Sequence, residues 1–321
     1  MPDPAVIALA LALDLALGDP RWLPHPVILI GRLINWLEKL LRNNSLHERA
    51  AGILLLILTV AAAVATTWLL LRGATYLHPL AGFLAAVIIS FTCLATRSLH
   101  DESALVAKAL AAGDINTART NLSRIVGRDT GQLDETEIWR ALVETVAENT
   151  ADGIIAPLFW LTLGGPMAGM AFKAVSTLDS MVGYKNKRYR HFGWASARMD
   201  DLANFIPARL TALLVIISAP LTALSLHGAL KITLRDRLKH PSPNSGHPEA
   251  AAAGALGVRL GGASSYGGQV SMKEYIGDPV TKLDEQAYQG MLRLMYASTL
   301  IMATACIVTT LYLKGSHVLH I

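Results

Sequence analysis

The stretch AGILLLILTVAAAVATTWLLL, residues 51–71, runs for 21 residues without a charge. A helix rises about 1.5 Å per residue, so this length matches the roughly 30 Å hydrocarbon core of a bilayer. Residues 77–95 and 295–313 repeat the pattern with 19 residues each, both free of Asp, Glu, Lys and Arg. The whole chain agrees with these three spans. Of its 321 residues 52% are apolar and only 16% are charged, and the mean hydropathy is +0.40. A soluble domain carries about 25% charged residues, so the charge here cannot coat a water-facing surface. Low charge with high hydrophobicity also excludes disorder. The aromatic share of 6% and the Leu, Ala, Val and Ile mass fit helices and lack the alternation of an outer-membrane barrel.

Outward from these spans the pattern weakens in an informative way. Residues 5–17 form a shorter apolar run containing Asp14. No basic segment precedes it, so it reads as an uncleaved helix whose carboxylate faces protein or water. Residues 153–171 carry Pro157 and Gly164-Gly165-Pro166, and residues 206–226 carry Pro207, Arg209 and Pro220. Such residues interrupt the helical ladder, giving either kinked spans or re-entrant hairpins. Lys and Arg gather in segments 19–50, 96–151, 173–205 and 227–294, with five, six, six and eight respectively. The positive-inside rule puts all four in the cytoplasm only if both broken stretches enter and return. The expected fold is an all-α polytopic membrane protein with about four full spans and two broken or re-entrant segments. It forms one membrane-embedded domain over 1–321, with both termini outside and cytoplasmic helical segments at 96–151, 173–205 and 227–294. Net charge is +4, but no basic cluster with interleaved aromatics points to nucleic acid. Cys93 and Cys306 lie in apolar runs and read as buried small hydrophobes.

Within 96–151, two amphipathic helices join at Ala112-Gly113-Asp114, and a third opens at residues 134–137. That third helix carries Glu144, Glu148 and Asp152 at four-residue spacing, which stacks them on one face with no basic residue between. The set suits a divalent cation with phosphate oxygens. A wetted acidic helix end explains the spacing equally well. Further on, Lys173 ends the first broken stretch, and Asp179 and Ser180 come next. Lys185, Lys187, Arg188 and Arg190 form a basic loop that needs no more than an anchoring role. Arg198, Asp200, Asp201, Asn204 and Arg209 then fall over three turns. Asp200 and Asn204 are four apart, letting a carboxylate and an amide share a ligand, and Arg209 can hold a phosphate. Gly18-Asp19-Pro20-Arg21 stops the first helix, and Pro24-His25-Pro26 stiffens the next step of the chain; an interfacial structural His25 is the simpler reading. Ser242, Asn244, Ser245 and Gly246 form a polar turn before a helix near Pro248, either an anion site or a plain cap. Gly257, Gly261, Gly262, Gly267 and Gly268 are expected in a flexible polar loop. No P-loop, Rossmann, zinc or nucleophile signature occurs. These residues have the chemistry of a Mg-phosphate site, which leaves a membrane enzyme and a transporter comparable.

Six motifs in order bring a resemblance. They are GDPRWLPHPV at 18–27, VGRDT at 126–130, VETVAENTADGIIAPLFW at 143–160, FKAVSTLDSMVGYKNKRY at 172–189, SARMDDLANFIPARLTA at 196–212, and SPNSGHPEAAAAGALGVRLGG at 242–262. Together they resemble the adenosylcobinamide-phosphate synthase family of cobalamin biosynthesis, the CobD or CbiB membrane proteins. Ser176 stands where that family often has Asn, a small departure. The resemblance implies a bacterial inner-membrane enzyme with a cytoplasmic active face. It implies ATP-dependent amide ligation of adenosylcobyric acid with (R)-1-aminopropan-2-ol phosphate or a related amino alcohol, with Mg²⁺ as cofactor and ATP as co-substrate. A carboxylate must be activated before an amine attacks it, and an acyl phosphate is the natural route. On this reading Glu148, Asp152, Asp200 and Asp201 hold Mg²⁺. Lys173, Arg198 and Arg209 hold phosphate oxygens, and Asp179 or Glu144 takes the ammonium proton. Asn149, Asn204, Ser242, Asn244 and Gly246 position substrate, with Asp19, Arg21, His25, Ser180 and Tyr184 on the substrate side. Implied partners are the corrinoid, the amino-alcohol phosphate, ATP and the lipid bilayer, with room for a homo-oligomer or other late cobalamin-assembly enzymes. The competing expectation is a corrinoid transporter or scaffold.

Overall fold

The computed structural model describes residues 3–20, 25–42, 47–184 and 186–318; Arg21, Pro24 and Lys185 lie outside the described residues. In chain order the helices are α1 (Pro4–Leu17), α2 (Pro26–Arg42), α3 (Glu48–Leu77), α4 (Pro79–Phe91), α5 (Thr96–Ala111), α6 (Ile115–Leu122) and α7 (Glu135–Thr150). A π-helical turn (Ala151–Ile155) leads to α8 (Ala156–Val182), α9 (Trp194–Ala203), α10 (Phe205–Leu221), α11 (Leu226–Asp236) and α12 (Gly246–Leu256). Strands β1 (Leu260–Tyr266) and β2 (Gln269–Ile276) precede α13 (Glu285–Val318). Among the described residues four helical runs are long and apolar enough to cross a membrane: Glu48–Leu77, Pro79–Ala111, Glu135–Val182 and Glu285–Lys314. α9 and α10 add a bent apolar pair. The protein is therefore a helical membrane protein. α1 has 14 residues, about 21 Å of helix, and is too short to span alone. Asp14 within it is fully buried.

The chain forms two compact units: Met1–Ala95 with Ala156–Asn204 and Ala303–Ile321, and Thr96–Ile155 with Phe205–Met302. In the first unit α3 packs on α2, α4, α8 and α9, and α1 packs on α4. The expected span at 77–95 starts later. His78 ends α3 and caps α4 by accepting the Leu80 N–H on Nδ1 at 3.1 Å, with Pro79 at the first helical position, where its missing N–H costs nothing. Cys93 and Cys306 are free and buried, as expected.

The first broken stretch is bent at its glycines. Gly164 and Gly165 leave helical geometry, Gly165 at φ +62, a region that glycine enters without steric cost. Pro166 starts the second limb. A Cβ on Gly169 would touch the Leu161 side chain at 2.7 Å. Eight residues of straight helix would hold these positions about 12 Å apart. The chain therefore bends sharply at this break, inside the Glu135–Val182 run; the bend is common to both expectations for this stretch, a kinked span and a hairpin. The second broken stretch reverses. α10 ends at Leu221, Ala223 takes φ +58, and α11 packs on α10.

In the second unit α12 is the axis. Every residue from Gly246 to Leu256 is buried, and it packs on α7, α10 and α11. The run Ala250–Ala253 makes this close approach possible. At Gly254 a Cβ would run into the Gly228 carbonyl of α11. α5 and α6 join at Ala112-Gly113-Asp114 as expected, and Asp134 with Glu137 forms a capping box on α7. The glycine-rich tail is the main correction. It is not a flexible loop but an antiparallel β1–β2 hairpin, turning at Gly267-Gly268 with a bulge between Leu260 and Gly262. Two positive-φ glycines are what such a tight turn requires. On α11, Leu226, Leu230 and Leu234 form an exposed stripe at four-residue spacing, an apolar face that a bilayer would cover.

Candidate functional site

The third-helix acids point into the second unit rather than into water. Glu144 is 5% exposed. Its Oε2 accepts from Arg128 Nη2 at 2.6 Å, and its Oε1 accepts from the Gly261 N–H at 2.7 Å. Arg140 Nε stands 4.0 Å away and Arg140 Nη2 donates to the Ala263 carbonyl at 2.8 Å. The hairpin bulge makes the second contact possible. Gly261, at φ +81, turns its N–H out of the strand ladder and toward the carboxylate. Burial opposes charge on Arg128, but Glu144 outweighs it and holds the guanidinium above its ordinary value.

One turn on, Glu148 Oε1 accepts from Ser245 Oγ at 2.7 Å. Ser242 Oγ accepts the Asn244 and Ser245 N–H groups at 3.2 and 3.3 Å, shaping the turn into α12. Glu249, in the first turn of α12, is 4% exposed. Burial first, and then Glu144 and Glu148, push its carboxyl well above the usual range, while Lys273 and Arg128 work the other way. His240 Nε2 lies 3.8 Å from Glu249 Oε1 and 3.2 Å from Lys273 Nζ. Burial and the Lys273 charge push His240 down to about 4. The Ser242 N–H donates to His240 Nδ1 at 3.0 Å, and Nε2 is the ring nitrogen that faces Glu249 and Lys273. A carboxylate made more basic by burial and by two neighbouring acids, beside an imidazole held neutral and a lysine, is the equipment of acid–base chemistry.

The remaining expected residues of this unit are close by in sequence but differently engaged. Asn149 Nδ2 donates to the Thr145 carbonyl of its own helix at 2.9 Å. Asp152 sits half-buried in the π-helical turn. Arg209 Nη1 donates to the Phe205 carbonyl at 2.6 Å and to Asn244 Oδ1 at 3.4 Å. Gly246 is buried, and a Cβ there would strike the Arg237 carbonyl.

The first unit holds the others. Lys173 Nζ donates to the Cys93 carbonyl at 3.3 Å. Asp179 is half-buried and Ser180 exposed near the end of α8, and Tyr184 is half-exposed with its ring 6.4 Å from Tyr189. Asp200 Oδ2 accepts from Asn204 Nδ2 at 3.1 Å, so the two groups that the spacing offered to one ligand bond to each other, and Asn204 Oδ1 is buried without a hydrogen-bond partner among the described residues. Arg198 Nη1 reaches Asp201 Oδ2 at 4.0 Å. His25 Nε2 faces Asp19 Oδ1 at 3.4 Å. In the basic loop Arg188 pairs with the buried Glu38 at 3.0 Å, an anchoring role.

Among the described residues no three or more His, Cys, Asp or Glu side chains group closely enough to cage a metal ion. Mg²⁺ keeps several waters and commonly takes one or two carboxylates plus substrate phosphates. The half-buried Glu148 and Asp152 suit that mode.

Spacing missed Arg128, Arg140, His240, Glu249 and Lys273. Two left a signal. Arg140 stands four residues before Glu144 on α7, the same spacing that stacks the acids, and Glu249 is one acid opening an otherwise uncharged helix of alanines, which a helix dipole would explain equally well. Arg128, His240 and Lys273 come from loops and a strand that only the fold brings together.

The family described as CobD/Cbib protein matches residues 7–295. The cobalamin biosynthesis protein CobD of Pelobacter propionicus is 68% identical over 99% of this chain and 98% of its own length. The CobD of Geobacter metallireducens is 58% identical over 96% of this chain and 97% of its own. The cobalamin biosynthesis protein CbiB of Salmonella typhimurium is 47% identical over 92% of this chain and 94% of its own. No solved structure matches the chain.

Proposed function

The chain belongs to the CobD/CbiB protein family, and from that premise we propose that it is an adenosylcobinamide-phosphate synthase of cobalamin biosynthesis. It would join adenosylcobyric acid to (R)-1-aminopropan-2-ol phosphate at the expense of ATP. The observation that carries the reading is the buried carboxyl of Glu249 on α12, set against His240, Lys273 and the Glu144–Arg128 pair. An amine arrives as an ammonium ion and must lose a proton before it can attack. A carboxyl that burial and two neighbouring acids hold above the ordinary range is suited to take it.

The reaction balances as two displacements. The substrate carboxylate attacks the terminal phosphorus of ATP, forming an acyl phosphate and releasing ADP. The ammonium gives one proton to Glu249; the amine nitrogen then attacks the acyl carbon, the C–N bond forms, the C–O bond to phosphate breaks, and the nitrogen's second proton leaves on the departing phosphate. In the second unit Arg209 is the cation assigned to phosphate oxygens, and Glu148 and Asp152 the carboxylates assigned to Mg²⁺; in the first unit Lys173 and Arg198, and Asp200 and Asp201, carry the same assignments. When bound, that ion supplies charge neutralisation on the phosphoryl group. Consumption of ATP supports a cytoplasmic working face, and the apolar helices support a place in a bacterial inner membrane.

The test is turnover by purified full-length protein in detergent with adenosylcobyric acid, (R)-1-aminopropan-2-ol phosphate, ATP and Mg²⁺. Amide product in step with ADP supports the ligase. Asp200→Ala and Asp201→Ala should each abolish product while the protein still inserts in membranes. Corrinoid binding without ADP release would overturn the ligase in favour of a transporter or scaffold.

A further inference from the structure

Three cationic or donor groups of the second unit, Arg209, Arg237 and His247, gather at the start of α12, where Glu148 accepts from the Ser245 hydroxyl and Glu249 lies in the first turn. Arg209 of α10 and Arg237, which caps the end of α11, act on His247 and on one another through their charges. Among the described residues neither guanidinium is ion-paired. Arg209 commits Nη1 to the Phe205 carbonyl and to Asn244 Oδ1, and Arg237 commits its Nη1 to the Leu234 carbonyl at 3.0 Å. His247, the second residue of α12, is 5% exposed, and its Nε2 has no hydrogen-bond partner among the described residues. The Arg237 backbone packs against Gly246 at this same helix start.

Two guanidinium groups near a buried, unsatisfied ring nitrogen cost the fold stability twice, through like-charge repulsion and through the lost hydrogen bond. A tetrahedral dianion relieves both. It gives each guanidinium an anionic acceptor, gives Nε2 a partner, and sits at the positive end of α12. Two fixed positive charges match two negative ones, which favours a phosphomonoester over a single carboxylate.

We propose that Arg209, Arg237 and His247, with Asn244, form a pocket for one phosphomonoester dianion. The inference rests on the ligase reading only for the phosphate that arrives, either that of the amino alcohol or the terminal one of ATP. The experiment is ³¹P NMR titration of full-length protein in detergent with inorganic phosphate, ATP and (R)-1-aminopropan-2-ol phosphate in separate arms. Arg237→Gln and His247→Asn should each weaken phosphate binding about tenfold or more, the loss of one charge-assisted hydrogen bond. A loss confined to the amino-alcohol phosphate, or confined to ATP, supports the pocket and identifies its source. Unchanged affinity for all three probes in both variants overturns it. If Arg237→Gln does not melt cooperatively, Arg237→Lys keeps the charge without the fork and should still weaken binding several-fold. Unchanged affinity there also overturns the pocket. Protein that binds inorganic phosphate through these residues yet forms no amide refutes the ligase and leaves the pocket standing.

Discussion

Replacing Glu144 by Gln removes one charge from the interior of the second unit and almost no volume. The Gly261 N–H keeps an acceptor, because a side-chain amide oxygen can stand where Oε1 was. What disappears is the counter-charge of Arg128, 2.6 Å away, in a pair whose side chains are 9% and 6% exposed. Taking one partner from a buried ion pair costs about 3–5 kcal/mol, mostly as the uncompensated charge left behind. In a unit of this size each kcal/mol moves Tm by about 2–4 °C. The expected fall is therefore about 6–20 °C, read by circular dichroism melting in detergent at neutral pH. Adding Arg128→Met removes the stranded charge, so the double variant should regain at least half of the loss. A single variant melting within about 2 °C of the parent would refute the claim that this pair holds α7 to the bulge.

Other outcomes rest on the same cluster and its packing. His240 and His247 are both held at about 4, by burial first and then neighbouring positive charge, against an ordinary 6.5. A base held below its unfolded value contributes stability that is complete above about pH 6.5 and is lost as pH falls toward 4, about 2–3 kcal/mol for each ring. Tm measured from pH 7.5 to 4.5 should fall across that window, and less so in His247→Asn; a flat profile contradicts the buried neutral rings. Glu249→Gln keeps the shape and removes the proton exchange. It should lower kcat by about a hundredfold or more with KM little changed, while raising Tm at neutral pH, because a buried acid crowded by two others is relieved. A drop in Tm with full activity would remove Glu249 from the chemistry. Gly254→Ala drives a methyl into the Gly228 carbonyl and should cost about 1–3 kcal/mol by overpacking α12 against α11; an unchanged melting curve would show that the two helices separate without strain.

The membrane architecture was legible because length and charge vacancy are local properties: residues 51–71 need no partner to be recognised as a span. The bend at Gly164-Gly165-Pro166 was legible as a break, because Gly and Pro interrupt the helical ladder locally. The hairpin was not. Its glycines read as flexibility, since nothing in LGGASSYGGQVSMKEYI marks residues 260–266 as a strand until the pairing with 269–276 exists. In the candidate site, helical spacing singled out Glu144 and Glu148, which the structure places against Arg128, Gly261 and Ser245. Their partners were not singled out, because Arg128, His240 and Lys273 lie 16, 96 and 129 residues from Glu144 and no period links them.

The hairpin has a consequence of its own. A two-stranded sheet is marginal in isolation, and this one is tied down at few points. Asp129 receives the Gly267 and Gly268 N–H groups and the Ser265 hydroxyl at its tip, and Arg140 holds the Ala263 carbonyl nearer its base. Val270 and Met272 on the outer strand are exposed. Local opening free energies are lowest where few apolar contacts resist them. In amide hydrogen exchange β2 should therefore lose protection before β1, α7 and α12. Each such opening would leave β1, and the Gly261 N–H it presents to Glu144, without its strand partner, so the wall of the buried cluster is braced from outside by its least durable element.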